Sequence, residues 1–455
     1  MLKGVLIIVV FVVLALLASA NLEIKDEAAE QAALEQQKIM SEFDALDIYM
    51  DKYMYSQACA QYQSLIKSYP NDIGISDKFI SFCEEYGYKS ELTAECIRRL
   101  ELNKEDKNMA QKILNSYYES GSTKIYKFMN TNKALLSDTE LYKKIKAESL
   151  SKLREIRGSM TDISDWQVLG YTYVKNNGKE GVANAVGTIV IPMAYDDIIS
   201  YSQSESLIAI KEREQLVYTN YAGDRAIVPY DTKERKLIYL DYLGPFESGV
   251  ANVCKDGVWG YANKDLNIDY LKYKETAPLS FNVSAILKDD GWHIINTNFS
   301  EISAAFEDIY RDESGYCCSN NIIYLKSGGK WEMYKTVFDE SGLVTGISRC
   351  SDLCFDDVKT FGDYGAVCVN GKWGFIKSDG TWLIEPVYSD AYSFRCGLAP
   401  VLTGGKWGFI SENGDMIIPA TYEGAISFSK NGVTAVKSGD TWKFIQLYEY
   451  YYLGR

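Results

Sequence analysis

The sequence predicts a multidomain chain, α-helical first and all-β afterwards, behind an N-terminal transmembrane helix. Three observations predict it. An apolar, uncharged run opens the chain, and apolar residues recur at helical spacing over 23–157. Near its end the chain repeats itself. Residues 371–394 (GKWGFIKSDGTWLIEPVYSDAYSF) and 405–428 (GKWGFISENGDMIIPATYEGAISF) align without a gap. A repeat of this length is one supersecondary unit, which must stack on neighbours to bury its apolar face. At 455 residues, two or three domains are expected.

The first element is MLKGVLIIVVFVVLALLASA, with no charge between Lys3 and Glu23. That run is long enough to span a bilayer. Ala18-Ser19-Ala20 also fits a signal-peptide cleavage site, so secretion after cleavage at Ala20 is the alternative. The long Ile/Val/Leu run, continued without a breaker, favours an anchor over residues 1–22. Lys3 and the acidic flank predict a single-pass membrane protein, N-terminus inside and body extracytoplasmic.

The second element, 23–157, reads as helices. Tyr62, Leu65, Ile66 and Tyr69 share one face, as do Phe79, Phe82, Cys83 and Tyr86. Pro70-Asn71-Asp72 breaks the first helix, and Ser76 or Asp77 can cap the next. Ile113, Leu114, Tyr117 and Tyr118 begin a further face. Residues 158–165 (GSMTDISD) lack periodicity and read as a linker.

The third element, 166–455, is the repeat region. Trp-type positions fall at Glu180, Leu216, Trp259, Trp292, Trp331, Trp373, Trp407 and Trp442, spaced 33 to 43 residues apart. A second signature lags each Trp: YDDIISY at 195, FDDVKTF at 355, YSDAYSF at 388, YEGAISF at 422. The repeat positions singled out are Trp259, Gly260, Trp373, Gly374, Trp407, Gly408, Tyr195, Tyr388 and Tyr422. Each unit reads as short strands. Asn413-Gly414 is a strong hairpin signal, because a type I′ turn needs positive φ at both central residues. The Trp reads as a packing anchor, worth roughly 3–5 kcal/mol on truncation if fully buried. The Gly after it allows close backbone approach.

These residues resemble the bacterial WG-repeat family, over about 170–446 and most strongly over 361–446. The resemblance implies an all-β array, propeller-like, with no general enzymatic activity. An open β-hairpin array is the alternative, since units of about 35 residues are short for full four-stranded blades. Tyr49, Ala58, Tyr62 and Pro70 resemble part of a tetratricopeptide repeat, the small Ala letting two helices cross closely. A generic helical-hairpin bundle fits that segment equally well.

Charge and chemistry narrow the function. A formal charge of −14 argues against a nucleic-acid partner, which needs clustered Lys and Arg. With a single His, His293, and no C-x-x-C, the ten Cys do not read as a zinc site but as buried thiols. The acidic pairs Asp196-Asp197, Glu307-Asp308 and Asp356-Asp357 recur at one repeat position, so they read as a turn device. No nucleotide or nucleophile motif occurs, and neither catalytic residues, a cofactor nor a metal is expected. The expectation is a membrane-tethered, non-catalytic binding or scaffold protein of the cell envelope, for a protein or glycan ligand. Two alternatives remain. An envelope glycan hydrolase predicts that acidic residues from 266–354 converge at one pocket. A factor holding a secreted client predicts an apolar groove on 40–130.

Overall fold

The computed structural model describes residues 34, 37–38, 41–156, 158–202, 207–212, 215–220, 226–227, 229–231, 236–263 and 268–453. The chain divides into two compact units, Met1–Lys143 and Lys144–Arg455.

In the first unit, helices α1 (Tyr55–Ser68), α2 (Ile73–Tyr86), α3 (Lys89–Leu102) and α4 (Lys107–Glu119) follow one another, each packed on the next. The apolar faces meet as their spacing requires. Ala58, Leu65, Ile75, Phe79 and Phe82 are buried together, and the Tyr62 ring lies 5.5 Å from Phe79 and 5.3 Å from Phe82. The cap of α2 is Asp72, whose carboxylate accepts the Ile75 N–H at 3.1 Å, and not Ser76 or Asp77. Asp72 stands three residues before a free N–H, the N-cap geometry. Ser76 is instead buried within the helix and donates to Glu95, which Arg98 grips at 2.6 Å.

The transmembrane helix expected for residues 1–22 lies outside the described residues. Among the described residues, no helix is long and apolar enough to cross a membrane. Helices α1 to α4 have 13 or 14 residues. Each reaches about 20 Å, against about 30 Å of bilayer core. The expected single-pass topology with its N-terminus inside, and the membrane as partner through residues 1–22, are corrected accordingly.

The second unit is an eight-bladed β-propeller. Its sheets span residues 162–195, 200–227, 242–273, 275–306, 308–349, 357–388, 390–422 and 424–447, numbered here as blades 1 to 8. In most blades four antiparallel strands run in sequence order from the axis outwards. Blade 4 replaces its fourth strand with isolated bridges, Trp292 to Phe306 and Ile295 to Glu301. Each neighbouring pair of blades shares a buried apolar core.

The eighth blade closes the ring. Its first three strands come from the end of the chain, and its outermost is Leu153–Glu155. Leu153 pairs with Leu447, Arg154 with Gln446 and Glu155 with Ile445. Met160 bridges Trp442, and Asp162–Ile163 forms the innermost strand of blade 1. The open-array alternative is thereby excluded. The closing strand lies inside the stretch whose composition reads as helix, and the GSMTDISD stretch is built into the first blade.

Candidate functional site

The repeat residues occupy the outer half of each blade. All eight Trp-type positions, Glu180 and Leu216 included, are the second residue of a third strand. Trp292, Trp331 and Trp373 are buried, while Trp259, Trp407 and Trp442 are half-buried. Their rings lie against residues at the inner strand of the same or the next blade. Tyr242 is 5.0 Å from Trp259, Tyr392 is 5.5 Å from Trp407, and the Lys359 ammonium is 4.7 Å from Trp373.

The Gly that follows is required by the outermost strand. Pairing slips between Trp373 and Phe375 and between Trp407 and Phe409, where the outer strand bulges at Pro386 and Pro419. A Cβ on Gly374 would stand 2.6 Å from the Pro386 nitrogen, and one on Gly408 2.7 Å from the Ile418 carbonyl oxygen. Gly260 sits at the matching slip between Trp259 and Tyr261. Tyr195, Tyr388 and Tyr422 end their outermost strands opposite Glu180, Trp373 and Trp407. The Pro in these exposed strands removes a ladder donor and blunts edge pairing.

The recurring carboxylates stitch one blade to the next. Asp356 accepts the Lys330 ammonium from blade 5 and the Asn370 N–H from the turn of its own blade at 2.6 Å. Glu423 repeats this with Lys406 at 2.7 Å and the Gly439 N–H at 3.2 Å. Asp196 takes Lys179, and Glu307 takes the Gly328 and Gly329 N–H groups. Lys330 first, then the Asn370 N–H, holds the Asp356 carboxyl below the usual carboxylate range, and Lys406 does the same for Glu423. Lys179, Lys330 and Lys406, each the residue before a Trp-type position, thus pair with the acidic signature that follows.

The axis of the propeller carries a feature that the repeat pattern hides. Between its short innermost strand Asp308–Ile309 and the two-residue strand Cys318–Ser319, blade 5 inserts Arg311-Asp312-Glu313-Ser314-Gly315-Tyr316. This loop reaches blade 1, on the opposite side of an eight-bladed ring, so it crosses the axis. Asp312 accepts the Val168 N–H at 2.9 Å. The Ser314 N–H donates to the Gln167 amide oxygen at 3.0 Å, and the Tyr171 hydroxyl donates to Ser314 Oγ at 2.9 Å. Within the loop, Asp312 Oδ1 also accepts the Ser314 and Tyr316 N–H groups at 3.0 and 2.9 Å. Gly315, at φ 87°, supplies the left-handed residue that this turn demands.

The charge around the crossing is acidic. Burial pushes Asp312 up to about 7, against the pull of its three N–H donors. Burial also raises Glu313, with the Asp165 charge adding to it, and raises Asp165 itself. Asp165 accepts the Ser427 N–H of blade 8 at 3.0 Å, which ties blade 8 to blade 1. Arg311 pairs with Glu275 and lies 4.6 Å over the Trp292 ring. Glu313 lines a cleft of about 190 Å³ with Asp162, Tyr173, Lys175 and Glu180.

Of the acidic residues in 266–354, only Glu313 lines this cleft, so the convergence that a hydrolase predicts is not met there. The other two carboxylates, Asp162 and Glu180, come from blade 1, and Glu180 accepts the Ile198 N–H at 2.9 Å and pairs with Lys175 at 2.8 Å. In the helical unit, a groove of about 390 Å³ lies over α2, α3 and α4. Its rim holds the ion pairs Lys112–Glu84 and Lys89–Glu119, while Cys83 and Leu92 also line it. His293 is buried beside Asp290, with Nε2 3.0 Å from its carboxylate. All ten Cys are free and seven are buried. Among the described residues, no group of three or more His, Cys, Asp or Glu is placed to hold a metal ion.

A family model described as the WG containing repeat matches residues 181–214, 238–259, 373–407 and 407–442. The last two matches run from one third-strand Trp to the next. No curated protein matches the chain. Among solved structures, the WD40 domain of SCAP from fission yeast is 9% identical, covering 66% of this chain and 99% of that chain at a TM-score of 0.35. PorZ of Porphyromonas gingivalis, a surface component of the type-IX secretion system, is 10% identical over 64% of this chain and 46% of that chain, at 0.32. Kluyveromyces lactis Hsv2 is 11% identical over 48% and 74%, at 0.30. At these scores the likeness carries no argument about function.

Proposed function

We propose that this chain, which belongs among the WG-repeat proteins, is a non-catalytic binding module whose propeller holds a protein partner. One observation carries the reading: the carboxylates that catalysis would draw on are spent on the scaffold. Asp196, Glu307, Asp356 and Glu423 join Lys residues or turn N–H groups, and Asp312 accepts three backbone donors. A general acid or base needs a lone pair or proton free to reach substrate. What the ring offers instead is a wide, rigid surface of turns and outer strands. With a formal charge of −14, electrostatic complementarity favours a partner with a basic face.

The test is affinity capture with the full chain, followed by chemical cross-linking of what is retained. The reading expects a protein whose cross-links fall on residues 158–447 and whose retention weakens as salt rises. Cross-links confined to 55–119, or turnover of a glycan by the purified chain, would overturn it.

A further inference from the structure

We propose that the outer edge of blade 5 is a self-association surface, on which a second copy of this chain pairs its own strand Val344–Arg349 antiparallel about a two-fold axis at Ile347. The edge is left open. Pro192, Pro386 and Pro419 interrupt the outermost strands of blades 1, 6 and 7, and those of blades 2 and 8 have 2 and 3 residues. Proline and shortness are ordinary ways of blunting a sheet edge. Val344–Arg349 has 6 residues and no Pro, as has Ile268–Tyr273 of blade 3. The hairpin behind the blade 5 edge is also lengthened. Its first arm, Lys330–Phe338, has 9 residues, against 5 to 7 in the third strands of the other blades. The last two, Val337 and Phe338, are 41% and 42% exposed.

The charges along the hairpin choose the occupant. Its tip carries Asp339 and Glu340, and no Lys or Arg occurs from 336 to 348. Asp339 accepts the Ser341 and Leu343 N–H groups at 2.9 and 3.0 Å. The base carries Lys335 and Arg349. Arg349 is held at the edge by Glu332 at 3.0 Å and the Ser351 carbonyl at 2.9 Å, with 39% of its side chain exposed. A hairpin acidic at its tip and basic at its base is complementary to its own reverse. Antiparallel pairing about a two-fold axis supplies that reverse.

The register follows from the ladder. Pairing slips between Val337 and Phe338, so the regular part of the edge runs from Gly346, opposite Val337, to Arg349, opposite Tyr334. An axis at Ile347 keeps the contact on that part. It sets Ile347 against Ile347 of the second copy, a favourable β-branched pair. Each Arg349 then faces Thr345 of the second copy, beside the acidic turn that Asp339 and Leu343 close at 2.9 Å. A Cβ on Gly346 would meet no atom within 4 Å, so the chain itself does not cover the edge there. The formal charge of −14 opposes association at long range. In 0.15 M salt the screening length is about 8 Å, so the contacts at the edge decide.

The experiment is sedimentation equilibrium of the full chain in about 0.15 M salt, from about 5 to about 200 µM, with cross-linking of what forms. The parent mass should rise with concentration towards twice that of the monomer, with cross-links joining 344–349 of two copies. Gly346→Lys puts a charge on the paired strand at a position where an added Cβ meets nothing, and it should stay monomeric. Gly346→Ala should associate like the parent. Glu340→Lys should raise the dissociation constant about tenfold, because the reversed charge counts twice across the axis. A parent that stays monomeric overturns the proposal. So does association that Gly346→Lys leaves unchanged, which places the contact elsewhere, such as residues 1–22. Cross-links from 344–349 to a different protein, and none between copies, overturn it as well.

Discussion

Replacing Gly374 with Ala tests why Gly follows Trp in this repeat. The added methyl would sit 2.6 Å from the Pro386 nitrogen, 2.7 Å from the Ile384 oxygen and 2.8 Å from the Glu385 carbonyl carbon. All three are backbone atoms, so no side chain can swing away. Ordinary carbon contacts lie near 3.5 Å, so the outer strand must retreat by about 0.7 Å or more. That motion opens the Trp373–Tyr388 and Phe375–Ile384 pairs and loosens Phe375, which is fully buried. Overpacking of this kind costs about 1–3 kcal/mol. At about 2 °C per kcal/mol for a unit of this size, the melting temperature should fall by about 2–6 °C. The control is Gly346→Ala, on an outermost strand with no atom within 4 Å of the new methyl. All eight Trp lie between 166 and 442, so their fluorescence follows the propeller without the helical unit. If Gly374→Ala melts within about 1 °C of Gly346→Ala, the close-approach reasoning is wrong.

Other perturbations read other links. Trp373→Ala should cost about 3–5 kcal/mol by denaturant titration, because the ring is buried between blades 6 and 7. Trp407→Ala, half-buried, should cost less. Asp356 is held below its unfolded value, so its contribution is present above about pH 4 and lost as pH falls through the lower, folded value. Asp356→Asn should therefore flatten the acid limb of stability against pH. Cys354 is the exposed thiol, and burial pushes Cys83, Cys96 and Cys317 up to about 12. A thiol reagent should thus label Cys354 first in the native chain, and Cys354→Ser should remove that fast phase.

Much of the ring can be read from the sequence, because its period is set by local chemistry. A Trp needs an interblade core, a Gly needs a bulged neighbour strand, and a Lys needs the next blade's carboxylate. Even Glu180 and Leu216 hold the register after losing the ring. The closing strand is harder to read. Leu153–Glu155 lies in a charged stretch that suits a helix, and what makes it a strand is Leu447–Ile445 at the far end of the chain. The axial loop is hidden for the same reason, since its partners Gln167 and Val168 are remote in sequence. The available clues are the extra residues between FEDIY and the next strand, and the turn-forming Asp312-Glu313-Ser314-Gly315. The cap of α2 could have been found, since Asp72 follows the Pro70 break as an N-cap should.

The central claim is a ring closed by pairing residues 153–155 with the last strand of the chain. Arg154 and Gln446 stand directly opposite each other in that pair. Cysteines placed at both positions in a Cys354→Ser background should join within one chain under mild oxidation. Peptide mass spectrometry should recover residues 154 and 446 linked, with the melting temperature raised. A product linked only between chains, or no link between 154 and 446, would contradict the closed ring.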